Sequence, residues 1–384
     1  MTATAQISGA GLDEGTSQGT GAPGTGGPAA QDSKIGEVSQ RSLMVRRFKR
    51  SKLAVASLVI LILMYLGALF AGFLSPSDPA AVNQEFKYAA PSSWTWSGGP
   101  AVCRTTQEID PINISTTYVT NCDDPIQLQF FSRGYEYELF GFIPTDRHLF
   151  TVPEGRVLVF GADGNGRDLF SRTIHGAQVS LTIGLLGVIV ATVLGSVLGT
   201  ISGYAGGATD TVIQRVIEVI MSVPTIPLWA TMAAVMPQDL SVTQRYFVMT
   251  MILSLVAWTG LARQVRGKVM GYASADYVAA ARSANASGFR IVTTHLLPNA
   301  ASHIVAVSML AIPATILAET ALSFLGIGML DPAISWGVLL QDASRIDVLQ
   351  QYPWVLIPGV AVVLAITCFQ LLGDGVRDAV DPYS

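Results

Sequence analysis

Long apolar runs alternate with polar segments along this chain. Six of the runs reach the length of about 20 residues that an α-helix needs to cross a lipid bilayer. They lie near Leu53–Phe73, Ser180–Ser202, Thr211–Met236, Tyr246–Leu261, Ile304–Phe324 and Trp354–Leu372. Of the 384 residues, 50% are hydrophobic and 13% are charged, whereas soluble domains carry about 25% charged residues. The pattern therefore predicts an all-α membrane protein with six transmembrane helices.

The third run is the most interrupted of the six. It contains two charged residues, Arg215 and Glu218, and two prolines, Pro224 and Pro227. Such residues are tolerated in a span that faces other helices or a water-filled path. We expect the prolines to break this helix near the middle of the membrane, either beside a substrate path or as a packing device.

Basic residues predict the orientation of the chain. The segment 41–52 carries six Lys and Arg residues and no acid, which by the positive-inside rule places the N-terminus in the cytoplasm. Six spans then place loop 262–303 and the C-terminus in the cytoplasm and segment 325–353 outside. The loop has five Lys and Arg residues against one acid, and the outer segment has three aspartates and one arginine. Both charge counts agree with this orientation.

Composition divides the chain into four parts. Residues 1–40 are rich in small and polar residues without an apolar period, which predicts a disordered cytoplasmic tail. Residues 41–73 form a basic flank and the first transmembrane helix, which lacks the cleavage pattern of a signal peptide. Residues 74–159 are expected to form a small extracytoplasmic, irregular and β-rich cap, with β-like runs at 126–131 and 156–160. Residues 160–384 hold the other five spans.

Two of the three cysteines lie together in the predicted cap. Cys103 and Cys122 form a disulfide if the cap is extracytoplasmic, and the alternative is a pair of free buried thiols. Cys368 lies within an apolar run. The net charge of −4, without a basic patch interleaved with aromatic residues, argues against a nucleic-acid partner.

Glycines recur in the second span. Gly195 and Gly199 make a face of small residues that allows close helix packing in lipid. We expect this face to pack within the chain, and an interface with a partner chain is the alternative.

A polar, basic loop lies between two spans, at Tyr277–Asn299. Its pattern predicts two helices and a turn: Ser274 caps the first helix, Asn285 adopts the left-handed conformation that ends it, and Ser287 caps the second. Pro298 is expected to stop that second helix. Small residues on the loop let the backbone of another protein come close, which indicates a docking part.

The loop resembles the cytoplasmic "EAA" loop of membrane subunits in binding-protein-dependent, ATP-driven importers. The alanine triplet Ala279, Ala280 and Ala281 falls on the E-A-A positions, Asn285 on the glycine and His295 on the isoleucine. Leu297 and Pro298 match the closing L-P pair. The Glu, Gly and Ile of the pattern are all replaced, and the His followed by Leu-Leu-Pro-Asn is similar to the peptide-importer branch.

Two further stretches carry the same resemblance. FGADGNGRDLFSR, from Phe160, is similar to the segment that opens the transport domain of dipeptide and oligopeptide permeases, with Ala162 in place of a Thr. ETALSFLGIG, SWG and LLGDGVRDAVDP, at 319–328, 335–337 and 371–382, are similar to the last third of those proteins. The likeness covers about 160–384 and the first span in position. It implies the type I ABC importer permease fold, with 160–384 as its five-helix transport domain.

Taken together, these stretches imply a function and a set of partners for the chain. A chain of this family is a non-catalytic, multi-pass permease subunit of the bacterial inner membrane, and it forms half of the translocation pathway for di- or oligopeptides. The implied partners are a second related permease, two ATP-binding subunits that hold ATP and Mg²⁺, and an extracytoplasmic solute-binding protein. No cofactor is expected in this chain. The implied ATPase-coupling residues are Tyr277, Ala279, Ala280, Ala281, Arg282, Asn285, His295, Leu297 and Pro298.

Charged residues at the predicted outer face are further site candidates. Asp163, Arg167, Asp168 and Arg172 either contact the binding protein, hold a gate by ion pairing, or form a local salt-bridge cluster that fixes the loop. Glu319 either lines the pathway or is a structural acid whose hydrogen bonds are satisfied within the bundle. Pro224 and Pro227 are the other candidates for lining the pathway.

Other function classes remain open at this stage. The same architecture can import nickel or another small solute, although the spans show no His and Cys spacing typical of a metal site. A membrane-anchored receptor would bind ligand in the cap alone. A secondary transporter would need inverted repeats and carboxylate relays within the membrane. The last two classes leave the alanine-rich loop unexplained.

Overall fold

The structure is a computed structural model, and it describes residues 40–109, 116–237 and 239–380. All of the predicted tail except residue 40 lies outside this part of the chain. The helices are α1 Gln40–Arg50, α2 Lys52–Leu69, α3 Ala71–Leu74, α4 Leu169–Ala205, α5 Gly207–Ser222, α6 Thr225–Ala234, α7 Val242–Ala273, α8 Asp276–Ser283, α9 Gly288–Ile291, α10 Leu297–Phe324, α11 Trp336–Leu339, α12 Ile346–Gln351 and α13 Ile357–Val380.

Within the described residues, five helices are long and apolar enough to span a membrane. They cover Lys52–Leu69, Leu169–Ala205, Val242–Ala273, Gly288–Phe324 and Pro353–Val380. Helices α5 and α6 meet at an angle of 81° and make a sixth, broken span when they are counted together. The prediction of a six-span, mostly helical membrane protein is confirmed, with the third span bent as expected.

The break between α5 and α6 has a local cause. Proline disfavours helical backbone in the residue before it, and Val223, which precedes Pro224, is extended at φ −89° and ψ 131°. Helix α5 therefore ends at Ser222. The prediction that both prolines break the span is wrong for Pro227, because it lies in the first turn of α6, where a missing N–H is harmless.

Small residues bring α4 and α7 together, side by side in the same direction. A Cβ atom on Gly195, Gly199 or Gly203 would lie within 3.0 Å of a carbonyl oxygen of α7, so the two backbones touch. The predicted packing face is therefore used within the chain. Around this pair, α2, α10 and α13 bury a shared core that includes Leu61, Leu181, Ile316 and Phe369.

The two ends of the bundle differ. The loop end carries α8 and α9, and the cap end carries seven strands in the described residues: β1 Trp94–Trp96, β2 Pro100–Ile109, β3 Thr116–Gln127, β4 Gln129–Phe130, β5 Arg133–Leu139, β6 Ile143–Arg147 and β7 Phe150–Thr151. They form three antiparallel sheets, in the orders β1-β2-β3, β4-β7 and β5-β6. The small β-rich insertion is confirmed. The β-like run at 156–160 forms no strand, although Val157 and Leu158 are buried there.

A disulfide ties the longest hairpin of the cap. Cys103 and Cys122 lie on β2 and β3 with their Cα atoms 4.5 Å apart, and their sulfur atoms are bonded. Register shifts between Val102 and Arg104, next to this bond. The bond therefore fixes the pairing of the two strands at the point where it is irregular.

Candidate functional site

The loop between α8 and α9 closes as the sequence predicts. Asn285 adopts the left-handed conformation, with φ 54°. The amide of Asn285 donates to the carbonyl of Arg282 at 2.9 Å, and the amide of Ala286 donates to the carbonyl of Ala281 at 3.0 Å. This pair of bonds is a Schellman motif, which satisfies carbonyls that the helix end leaves free. The hydroxyl of Ser287 accepts from the amide of Arg290 at 3.3 Å and so caps α9.

Two other predictions about this loop are wrong. Ser274 does not cap α8, because it still belongs to the last turn of α7 and its hydroxyl donates back to the carbonyl of Gly271 at 2.9 Å.

Pro298 does not stop a helix. A wider π-helical turn at Val292–Leu296 precedes it, in which the amide of Leu297 reaches the carbonyl of Val292. That turn makes room for the proline ring, so the helix continues from Gly288 to Phe324.

The inner face of the loop is firmly anchored. Val278, Ile291 and Leu296 are fully or almost fully buried against Val265 and Val269 of α7. Each apolar side chain buried in this way stabilises the packed loop by about 1.5–3 kcal/mol. The loop is therefore a packed part of the bundle end and not a free hairpin.

Polar contacts tie α8 to two long helices. The side-chain amide of Asn299 donates to the hydroxyl of Tyr277 at 3.2 Å, and the rings of Tyr277 and His295 lie 6.1 Å apart. On the other side, the guanidinium carbon of Arg282 lies 5.4 Å from the ring centroid of Tyr204, at the end of α4. Tyr277, Arg282 and His295 thus hold the loop in place. Tyr204 joins them, and sequence reasoning missed it because no motif includes this tyrosine.

The outer face of the loop is small and exposed. Ala279, Ala280 and Asn285 are exposed, and Ala281 is half-buried. Phe289 is 80% exposed beside them. Sequence reasoning missed Phe289, for which the only signal is an aromatic residue within a polar loop. Leu297 is half-buried and Pro298 is exposed at the start of α10, after the π-helical turn.

The charged residues before α4 form one network at the cap end. Nε of Arg167 lies 2.8 Å from Oδ2 of Asp163, and its Nη1 lies 2.7 Å from Oδ1 of Asp331. Arg172, which is 1% exposed, lies 3.4 Å from Asp163 and 3.6 Å from Asp331. These contacts support the interpretation as a local salt-bridge cluster. Asp331 was not predicted, because it lies far away along the chain.

Asp168 has a different role from its neighbours. It is fully buried at the start of α4, and its carboxylate accepts from the amide of Ser171 at 2.9 Å and from the amide of Phe170 at 3.4 Å. Burial raises the pKa of this carboxyl from 3.8 to about 6, although hydrogen bonds from Ser171 oppose the shift. Asp168 is therefore the N-cap of α4 and takes no part in the ion pairs given above.

Glu319 is enclosed by hydroxyl groups in the bundle. It is fully buried, accepts from Ser180 at 3.0 Å and from Ser323 at 2.9 Å, and has Thr320 at 3.5 Å. Ser180 in turn accepts from the amide of Trp336, so Glu319 links α4, α10 and α11. The arrangement supports the structural interpretation within this chain. Pro224 precedes α6 and Pro227 lies in its first turn, so neither belongs to the helices that Glu319 links.

Comparisons with known proteins identify the family. A family model described as "Binding-protein-dependent transport system inner membrane component" matches residues 195–383, and one for the N-terminal transmembrane domain of oligopeptide transport permease C matches residues 39–91. The oligopeptide transport system permease protein OppC of Haemophilus influenzae is 36% identical over 58% of this chain and 70% of its own. The chain belongs to the family of inner membrane components of binding-protein-dependent transport systems.

Other relatives extend the match within this permease family. The dipeptide transport system permease protein DppC of Lactococcus lactis is 39% identical over 60% of this chain and 65% of its own. OppC of Bacillus subtilis is 29% identical over 92% of this chain and 95% of its own. A chain of the MetNI methionine ABC transporter aligns with a TM-score of 0.42 and 16% identity, over 54% of this chain and 96% of that one. That last likeness is too weak to carry an argument. The resemblance drawn from the sequence motifs is confirmed by the first two relatives.

Proposed function

We propose that this chain is the permease subunit of an ATP-driven peptide importer and forms half of its translocation pathway. Relatives over 58–60% of the chain are named for dipeptide or oligopeptide transport. Import of nickel or another small solute, a receptor role for the cap and secondary transport are the alternatives, and neither of these two relatives carries such a name.

The observation that carries the proposal is the exposed surface of α8 and α9. We define the docking surface as Ala279, Ala280, Asn285 and Phe289, all exposed on a loop whose inner face is buried. Two alanines let the backbone of a partner approach, and one exposed phenyl ring suits a pocket on that partner. Buried aromatic anchors of this kind carry most of the binding energy in protein interfaces. The partner in this proposal is the ATP-binding subunit.

The contacts of the loop suggest how ATP hydrolysis is coupled to transport. Helix α8 is tied to α4 through Arg282 and Tyr204, to α10 through Tyr277 and Asn299, and to α7 through a connection of two residues. A shift of the docking surface therefore moves three spans together. In the proposed mechanism, closure of the ATPase pushes this surface and switches the bundle between inward-facing and outward-facing states.

The proposed assembly has four further parts. A second related permease completes the pathway, two ATP-binding subunits hold ATP and Mg²⁺ beneath it, and a solute-binding protein delivers peptide at the cap end. Both termini of this chain and its docking surface lie in the cytoplasm of a bacterium, and the cap lies outside the inner membrane. The chain itself catalyses no reaction. The cluster of Asp163, Arg167, Arg172 and Asp331 then braces the cap end on which the binding protein acts.

Co-purification from native membranes tests the proposal. The tagged chain is extracted in mild detergent, and the proteins retained with it are identified by mass spectrometry. We expect a second permease and ATPases with phosphate-binding loops. Recovery of the chain alone, stable and monodisperse, would contradict the importer and favour a receptor or a secondary transporter.

Substrate class needs a separate measurement. The purified assembly is placed in lipid nanodiscs with its solute-binding protein, and ATP hydrolysis is followed with di- to pentapeptides or with Ni²⁺. Stimulation by peptides is expected. Stimulation by Ni²⁺ alone would retain the importer and overturn the peptide assignment.

A further inference from the structure

The cap folds back along the first span. The ring of Phe140, beyond the end of β5, lies 5.5 Å from the ring of Phe70, and the ring of Phe131 lies 6.1 Å from that of Phe73. Leu139 lines an apolar cavity of about 520 Å³ together with Leu63, Leu66, Gly67, Phe70, Phe73 and Leu74. At 1.5 Å of rise per residue, Leu63 lies roughly 9 Å inside the end of α2 at Leu69. The tip of the β5–β6 hairpin therefore lies beside the last turns of the span and not above them.

That part of α2 is exposed on the surface of the chain. The helix has 18 residues, and at 1.5 Å per residue its length of about 27 Å is close to the hydrocarbon thickness of a bilayer, about 30 Å. Leu63, Leu66 and Leu69 are exposed on it, Leu63 at 62%. Because these side chains continue directly into the surface of the hairpin tip, the tip extends the lipid-facing surface of the span.

The tip itself is apolar and exposed. Phe140, Phe142 and Ile143 are all exposed, Phe142 at 73%. Arg133 and Asp146 pair with each other at 3.5 Å at the opposite end of the hairpin. Glu138, next to the tip, lines a second groove together with Phe140 and with His175, Gln178 and Thr182 of α4. Phe142 and Ile143 do not line this groove, and no residue of Leu139–Ile143 is charged.

Backbone conformation gives an independent sign that these aromatic residues matter. Phe131 and Phe140 both have left-handed backbone, at φ 52° and φ 58°. This conformation costs a bulky residue roughly 1–2 kcal/mol, and Gly or Asn adopts it more easily. Tyr88 shares this conformation elsewhere, and in the cap hairpins both residues that adopt it are phenylalanines: Phe140 lies against Phe70, and Phe131 lies against Phe73. Strain of this kind is retained where a side chain has a function.

We infer that the hairpin tip, Leu139–Ile143, inserts into the membrane boundary and packs its phenyl rings against lipid acyl chains. Aromatic side chains concentrate at the boundary between hydrocarbon and headgroups, where they fix the position of a span. The tip then holds the cap at a set depth beside α2. The inference requires only that α2 spans the membrane, so it is independent of the substrate and of the orientation of the chain.

Spin labels distinguish lipid from water and from protein at this position. The full chain, with the subunits that co-purify, is placed in nanodiscs of phosphatidylcholine and phosphatidylglycerol after Cys368→Ala, and Phe142→Cys is labelled. Collision rates with oxygen, which concentrates in lipid, and with a water-soluble nickel chelate are then measured. Leu63→Cys is the control for lipid, and Glu136→Cys, at an exposed position in the middle of β5, is the control for water.

The inference predicts a ratio of oxygen to nickel collision rates above one at position 142, close to the ratio at position 63. A ratio below one, as at position 136, would place the tip in water and overturn it. An immobile label with low collision rates for both reagents would also overturn it, because a partner chain would then cover the tip.

Discussion

Arg282 lies over the ring of Tyr204, with its guanidinium carbon 5.4 Å from the ring centroid, and so joins the exposed helix α8 to the end of α4. The same tyrosine stands 3.1 Å from the position that a Cβ on Gly288 would occupy. Tyr204 is therefore packed between both halves of the loop. This contact links α8 directly to the helix that also carries Gly195 and Gly199.

Removing the ring of Tyr204 should loosen coupling while the proteins stay assembled. A cation–π contact at an exposed site contributes about 0.5–1 kcal/mol, so Tyr204→Ala should lower peptide-stimulated ATP hydrolysis by about two- to fivefold. Tyr204→Phe keeps the ring and should stay close to the wild type. The measurement is the stimulated hydrolysis rate in nanodiscs. Equal rates for the two variants would show that the ring does not transmit the motion.

Phe289 should be a binding anchor for the ATPase. Its ring is 80% exposed, and truncating an aromatic anchor in an interface costs about 2 kcal/mol or more. We expect Phe289→Ala to weaken the affinity of the ATPase for the permease by roughly 30-fold. The measurement is the dissociation constant of the ATPase from permease in surface-immobilised nanodiscs. Phe247→Ala removes an exposed phenyl ring from α7 near the cap end and is the matched control. Similar losses in both variants would exclude a specific role for Phe289.

Sequence reasoning reached the parts of this fold that local chemistry decides. Asn285 and Ser287 act as predicted, because turn and cap conformations depend on a few neighbouring residues. Helix ends were harder to predict. Helix α4 begins at Leu169, whereas the apolar run predicted a start near Ser180. The difference arises because the polar first turns of α4 carry no hydropathy signal. The partner of Arg167 was also out of reach, because Asp331 meets it only after the chain has folded. Pro298 misled for a related reason, since the π-helical turn that accommodates it has no signature in the sequence.

Backbone strain at Asn285 gives a third prediction. A β-branched residue at φ 54° is strained by more than the roughly 1–2 kcal/mol of an ordinary residue, whereas glycine is not strained. Asn285→Val should therefore distort the turn and lower ATPase binding and stimulated hydrolysis, while the chain still inserts into the membrane. Asn285→Gly should keep both activities. Wild-type hydrolysis in Asn285→Val would refute the role of this turn in coupling.

Asp168 should give the fold a pH dependence of known sign. The folded state holds the carboxyl proton with a pKa of about 6, and the unfolded state holds it at the ordinary 3.8. The folded state therefore binds more protons between these values, and the free energy of unfolding falls as pH rises from about 4 to about 6. The contribution is on the order of 3 kcal/mol and is complete above pH 6.

Replacing this acid with an amide tests the sign. Asparagine is as good an N-cap as aspartate, so Asp168→Asn should keep α4 and remove the penalty. Melting temperatures in detergent should fall less between pH 4 and pH 7 in this variant than in the wild type. Ser241 is the N-cap of α7, where its hydroxyl accepts from the amide of Gln244 at 3.2 Å. Ser241→Asn changes this N-cap without removing a titrating group and is the control. An unchanged pH dependence in Asp168→Asn would refute the assignment.

Cross-linking at Ala280 tests the central claim most directly. Ala280 is exposed on the docking surface, Cys103 and Cys122 are bonded to each other, and Cys368 is buried, so Ala280→Cys adds one accessible thiol to the described part of the chain. The purified assembly is treated with a short bismaleimide, and the products are identified by mass spectrometry. The proposed function predicts a covalent product of this permease with its ATPase, and no such product from Val305→Cys, which is exposed on α10. An ATPase that co-purifies but never cross-links to position 280 would contradict the account.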